Sequence, residues 1–179
     1  MLNKILVAID ITETNNNTFN TAFSLAQTTG AKLILLNIIA PNKNSYPNPF
    51  IYSGYEFDVM DESLLTVYQQ QWQQFKQQGK ELLHSLADEA IAAGVETEYI
   101  QDFGHPGRTI CDRAESQSVD LILVGSRGLT GVKEIFLGSV SNYVTHHAPC
   151  SVLIVRGTNN SASDSELVEE RQTDSTTND

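Results

Sequence analysis

Positive charge is scarce in this chain: 11 Lys and Arg stand against 22 Asp and Glu, a formal net charge of -11. A protein that neutralises phosphates along a nucleic acid needs the opposite balance, so nucleic acid is not expected as a partner. Cysteine is nearly absent, with Cys111 and Cys150 alone among 179 residues. Two thiols in segments that read as helix and strand do not make a disulfide scaffold; they read as small apolar side chains in a reducing cytosol. No apolar run approaches the roughly 20 residues needed to span a bilayer. The longest, Leu33 to Ala40, is broken by Asn37. No leader peptide is expected either, because Lys4 is followed at once by a short strand-like run and then Asp10. The expected setting is cytoplasmic and away from membranes.

Support for catalysis is also scarce. Gly125-Ser126-Arg127-Gly128-Leu129-Thr130-Gly131 offers no Lys followed by Ser or Thr, so it is not a Walker loop. No Ser-His-Asp order stands out. The four histidines (His84, His105, His146, His147) lack metal-ligand spacing with cysteine or carboxylate, and no metal site is expected from them. His146 and His147 suit a helix end, where positive character is favourable.

What the chain does have is alternation. Ile5 to Ile9, Leu33 to Ile39, Leu121 to Val124 and Val152 to Val155 are continuous runs of Val, Ile and Leu, as expected of parallel strands covered on both faces. Helical spacing lies between them. Phe19, Ala22, Phe23 and Ala26 recur at three and four residues, and Gly30 stands where a helix would stop. Three prolines, Pro41, Pro47 and Pro49, mark 41–58 as a flexible loop.

A long helix is predicted from Asp61 to Ala93, with Gly79 as its weak point. Seven of the ten residues from Gln69 to Gln78 are glutamine, yet Trp72 and Phe75 keep helical register, so a solvated face is expected rather than an aggregating tract. Val95 to Gln101 alternates with Glu96 and Glu98 as an edge strand would, and Pro106 opens another helix. From residue 158 the chain is Ser, Thr and Asn with six acidic residues and only Arg171 in return. That composition reads as a disordered acidic tail over 158–179, leaving 1–157 as the folded unit.

Strands alternating with helices give an α/β domain with a parallel sheet and right-handed crossovers. Ligands in such sheets bind beyond the carboxyl ends of the strands, where strand order reverses. Asp10 closes the first run and Gly125 the fourth. After Gly125 come Gly128, Gly131 and Gly138, then Ser139 at a helix start. Glycine lets backbone N–H groups approach a phosphate, and a helix start adds partial positive charge there.

The spacing Gly125, Gly128, Gly138, Ser139 resembles the nucleotide-binding pattern of the ATP-binding branch of the universal stress protein family. Lys4 to Asp10, Leu35 to Ile38, Asp120 to Gly128 and His147 to Val155 are similar to that family's strand segments. The resemblance implies an open five-stranded parallel sheet of order 3-2-1-4-5 with helices on both faces, a Rossmann-like arrangement. It implies ATP or AMP as ligand, ATP optionally with Mg2+. Ala8, Ile9 and Ile38 would surround the adenine, Asp10 would accept from the ribose or lie by the adenine, and Gly125, Arg127 and Gly128 would line ribose and phosphate. Gly138, Ser139, Val140 and Ser141 would donate N–H and hydroxyl hydrogens to the phosphates. Asn15, Asn16 and Asn17 depart from the family's small residues at the first helix, and Asn37 stands where histidine is frequent and reads as a packing difference.

The expected function is an adenine-nucleotide-binding regulatory protein of the stress response. A slow ATP hydrolase or phosphotransferase, and a dimeric adaptor with an empty nucleotide site, are the other readings. The fifth strand carries no charge until Arg156, and an apolar edge invites pairing. A homodimer through Val152 to Arg156 is therefore expected, as the resemblance also implies.

Overall fold

Each apolar run expected to be a strand is one, and every strand but the last leads into a helix. The computed structural model describes residues 1–11, 16–40, 62–126 and 137–156. Along them run β1 (Lys4–Ile9), α1 (Asn17–Thr29), β2 (Lys32–Ile39), α2 (Glu62–Ala92), β3 (Thr97–Phe103), α3 (Pro106–Ser116), β4 (Leu121–Ser126), α4 (Ser139–His147) and β5 (Ser151–Arg156). The 41–58 loop, Arg127, Gly128 and the 158–179 tail lie outside the described residues. The strands form one sheet of order β3-β2-β1-β4-β5, and every neighbouring pair is parallel.

Because successive side chains of a strand point to opposite faces, the sheet divides the core in two. Ile5, Val7 and Ile9 join Leu33 and Leu35 beneath Phe19, Ala22, Leu83 and Ala90 of α1 and α2. On the other face, Leu6 joins Ile34, Leu36, Ile122 and Val124 beneath Ile110, Ala114 and Val144 of α3 and α4. Burying each of these Ile, Leu, Val and Phe side chains stabilises the fold by about 1.5–3 kcal/mol. Among the described residues no helix is long and apolar enough to cross a membrane.

Local signals act where the sequence puts them. Gly30 ends α1 in the left-handed region, φ 73°, with its N–H on the Ala26 carbonyl. Pro106 opens α3, where its missing N–H would have had no helical acceptor. All seven glutamines between Gln69 and Gln78 are exposed. Gly79, however, is no weak point: α2 runs unbroken through it and buries it.

Several boundaries shift. β3 starts at Thr97 rather than Val95, because the Val95 N–H still bonds the Ala90 carbonyl at 3.0 Å and its side chain packs into the α1–α2 core. β4 continues past Val124, so Gly125 lies inside the strand opposite Val155 rather than closing it. Cys150 precedes β5 instead of lying in it, since the β4–β5 pairing begins at Leu121 and Ser151. At the β3 edge, Glu98 and Glu96 both hold Lys32, at 2.7 and 3.1 Å. Those hydrogen bonds, chiefly that of Glu98, push the lysine's pKa above its ordinary value.

The amino end of the sheet is tied by one carboxylate. Asp120 Oδ2 accepts from the backbone N–H groups of Asn3 at 2.7 Å and Lys4 at 3.0 Å. Hydrogen bonds from those two amides, Asn3 first, hold its pKa below the usual value for aspartate. A depressed folded-state pKa contributes stability that is present above the unfolded value, near 4, and lost as pH falls through the folded one. Asp120→Asn is therefore expected to lower the urea midpoint at pH 7, with a deficit that shrinks as pH falls below about 4. A deficit that does not change with pH would show that the charge is irrelevant.

Candidate functional site

The β1–β4 ladder is short, and it stops before the strands do. Its registered pairs are Ile5–Leu121, Leu6–Ile122 and Val7–Leu123. Beyond them Ala8 and Ile9 pair only with β2, as far as Ile9–Asn37, while Val124 to Ser126 pair only with β5. The sheet thus parts at its carboxyl end between β1 and β4. This is also where strand order reverses, since the chain proceeds through β2 and β3 on one side and through β5 on the other.

A crevice occupies the parting. It holds about 740 Å³ of atom-free space, open solvent at its mouth included, and is lined by Ala8, Ile9, Asp10, Asn37, Ile38, Pro106, Val124, Gly125, Gly138, Ser139, Val140 and Ser141. Nine residues singled out from sequence, Ala8, Ile9, Asp10, Ile38, Gly125, Gly138, Ser139, Val140 and Ser141, share this one crevice. Arg127 and Gly128 belong to the segment outside the described residues.

One end of the crevice is built from α4. Gly138 precedes the helix with extended backbone and no side-chain cap bond. The first N–H groups of a helix lack intrahelical acceptors, and the first residues of α4 that carry them line the crevice. The Ser141 hydroxyl donates to the Gly138 carbonyl at 3.0 Å, which leaves the backbone of this turn as the more accessible donor set. Ala8, Ile38 and Val124 supply apolar surface, and Asp10, just past β1, is the only titratable side chain among the described lining residues. The chemistry on offer is therefore apolar surface, one carboxylate and a row of amide donors.

Three lining residues were not singled out for the site: Asn37, Pro106 and Val124. Pro106 could have been found by topology, since α3 starts at the same end of the sheet as α4. Val124 adjoins Gly125. Asn37 is more than a packing difference: it is 3% exposed, and its Nδ2 donates to the Ile9 carbonyl at 3.0 Å. Among the described residues no group of three or more His, Cys, Asp and Glu is placed to hold a metal ion.

Known proteins resemble this chain in sequence and in fold. The chain is 46% identical over 97 residues to the universal stress protein Slr1101 of Synechocystis, across 54% of this chain and 90% of that protein. Over 156 residues it is 35% identical to Sll1388 of the same organism, across 86% of this chain and 97% of the relative. The solved structure of the hypothetical protein MJ0577 matches with a TM-score of 0.66 at 25% identity, covering 89% of this chain and 99% of that one. Two further structures share the fold. One is a universal stress protein in complex with cAMP, with a TM-score of 0.56 at 22% identity over 87% of this chain and 97% of its own. The other is a universal stress protein from Archaeoglobus fulgidus in complex with dAMP, with a TM-score of 0.54 at 19% identity over 85% of this chain and 96% of its own. The model of the Universal stress protein family matches residues 1–156, and the chain belongs to that family.

Proposed function

We propose that this protein binds an adenine nucleotide, AMP or ATP, in the β1–β4 crevice and acts as a regulatory protein of the stress response in the cytoplasm. The observation that carries the reading is the parted ladder, with apolar surface, the Asp10 carboxylate and the start of α4 around one cavity. Adenosine is flat and apolar at one end, carries ribose hydroxyl donors in the middle and ends in an anion. Ala8, Ile9 and Ile38 flank the base, Asp10 accepts from the ribose, and Gly125 lies beside it. The N–H groups of the Gly138–Ser141 turn meet the phosphate, where helix starts favour anions. Arg127 and Gly128 complete the phosphate end by the sequence pattern, and Mg2+ would accompany ATP on its phosphates. The cAMP and dAMP of two structural neighbours share adenine and a phosphoryl group, which supports the same ligand class here.

Regulation is favoured over turnover because Asp10 alone among the described lining residues could move a proton, and its assigned partner is the ribose. The direct test is mass spectrometry of small molecules released from freshly purified protein, followed by calorimetry with AMP, ATP and GTP. One adenine nucleotide per chain is expected. Absence of AMP and ATP binding in folded protein would overturn the reading.

Assembly belongs to the same proposal. β5 is an outer strand of the sheet, and Leu153 on it is 37% exposed, whereas Val152 and Ile154 pack on the α3–α4 core. A two-fold contact between β5 strands would cover that edge, and closed two-fold dimers are the commonest soluble assemblies. Leu153→Lys is expected to convert a homodimer into monomers that keep their nucleotide affinity, read by sedimentation velocity and calorimetry. A monomeric unaltered protein would remove the dimer.

A further inference from the structure

A line of amide hydrogen bonds crosses the sheet behind the crevice. Asn37 Nδ2 donates to the Ile9 carbonyl at 3.0 Å, and Asn37 Oδ1 accepts from Gln101 Nε2 at 3.2 Å. The same Gln101 nitrogen donates to the Lys76 carbonyl on α2 at 3.1 Å. Helix carbonyls are ordinarily walled off by the side chains of the next turn. Here that turn carries Gly79, where an added Cβ would collide with the Gln101 amide and lie 3.0 Å from Asn37 Oδ1. The glycine is therefore the opening through which Gln101 reaches the helix backbone. Gln101 and Asn37 are a registered pair on β3 and β2, and Asn37 is in turn the registered partner of Ile9.

We propose that Asn37 and Gln101 are positioning residues that tie α2 to the Ile9–Asp10 peptide, so that the placement of α2 sets the orientation of Asp10 in the crevice and ligand occupancy is felt at α2. This rests on the crevice being the nucleotide site. The Ile9 carbonyl belongs to the peptide unit whose nitrogen is that of Asp10, so a hydrogen bond to it fixes the plane from which the Asp10 side chain departs. Asn37 is almost completely buried, and a buried amide holds its partners strictly because an unmet hydrogen bond is costly there. A shift of α2 against β3 has to be absorbed by Gln101 and passed to Asn37, since both ends of the line are backbone carbonyls. The solvent face of α2 in this stretch is the glutamine row, so a partner docking on that row would reach the crevice by this route.

The test uses the full chain with Gly79→Ala, Gln101→Ala and the double variant. Gly79→Ala is expected to shift the Ile9 carbonyl carbon and Asp10 amide resonances without ligand, more than those of Ile5 and Leu6 on the same strand. It is also expected to weaken AMP about fivefold or more, a typical coupling between sites. In the Gln101→Ala background, adding Gly79→Ala should have a clearly smaller effect on both quantities, because the closer collision, with the Gln101 amide, is gone and only the 3.0 Å approach to Asn37 Oδ1 remains. Gln101→Ala adds no bulk and serves alone if the helix variant fails to fold, its own expected effect being the same shift at Ile9 and Asp10. Shifts confined to α2 and β3, or a Gly79→Ala effect undiminished by Gln101→Ala, overturn the proposal. If the unaltered protein binds no AMP, the nucleotide reading falls, while the ligand-free resonances still decide the relay.

Discussion

Asp10→Ala is expected to weaken AMP and ATP to the same extent, by about ten- to a hundredfold in calorimetric affinity. The ribose is common to both ligands, and hydrogen bonds to a charged group contribute about 1.5–3 kcal/mol each, which converts to that range. Asp10 follows the last residue of β1 and is half-buried, so its truncation leaves the sheet pairing intact. Equality between the two ligands is the informative part. If the variant kept AMP and lost ATP, Asp10 would lie with the outer phosphates or their Mg2+, and the ligand would have to be turned end for end.

Gly107→Val is expected to lower the melting temperature by roughly 6–12 °C. Gly107 is buried in the first turn of α3, and a Cβ there would sit 2.8 Å from Tyr143 Cδ1 and 2.9 Å from its Cβ and Cγ on α4. Tyr143 Cβ is fixed to the α4 backbone and yields only if the helix moves, while turning the ring away would give up its stacking on His147 at 4.0 Å. Overpacking of this kind costs about 3 kcal/mol, and each kcal/mol lowers the melting temperature of a chain this size by about 2–4 °C. Ligand affinity should fall too, because α3 brings Pro106 and α4 brings Ser139 to Ser141 to the crevice. Gly107→Ala should lie between. An unchanged melting temperature in the valine variant would mean that the two helices are not in close contact.

The fold was legible because its determinants are local. Runs of Val, Ile and Leu without polar alternation announce strands covered on both faces, and Gly30 and Pro106 act within one turn of where they stand. The site was legible to the extent that it lies at strand ends, where Asp10 and Gly138-Ser139 interrupt apolar or helical patterns. What stayed hidden depends on register between distant segments. Nothing in Ile5 to Ile9 or Leu121 to Ser126 says that their pairing stops at Val7 and Leu123. Gly79 was misread for the same reason: seen along the helix it is a poor helix former, and only the neighbouring β3 explains why a side chain there would be in the way. Asn37 looked like a flaw in an apolar run until Gln101 and the Ile9 carbonyl were brought beside it.

The three-pair β1–β4 ladder has a mechanical consequence. The sheet is two stiff plates, β3-β2-β1 and β4-β5, joined along a seam narrower than either plate's internal pairing. On one face α1 packs against strands of both plates and spans the seam like the spine of a book. The crevice opens on the opposite face, among α3 and α4. Small fluctuations of the sheet should therefore concentrate as a flexing about α1, with the seam among the first backbone to part. A nucleotide seated there would touch both plates at once and act as a clasp. Its stabilisation would then appear first as slower flexing of the seam and only secondarily as resistance of the whole chain to unfolding.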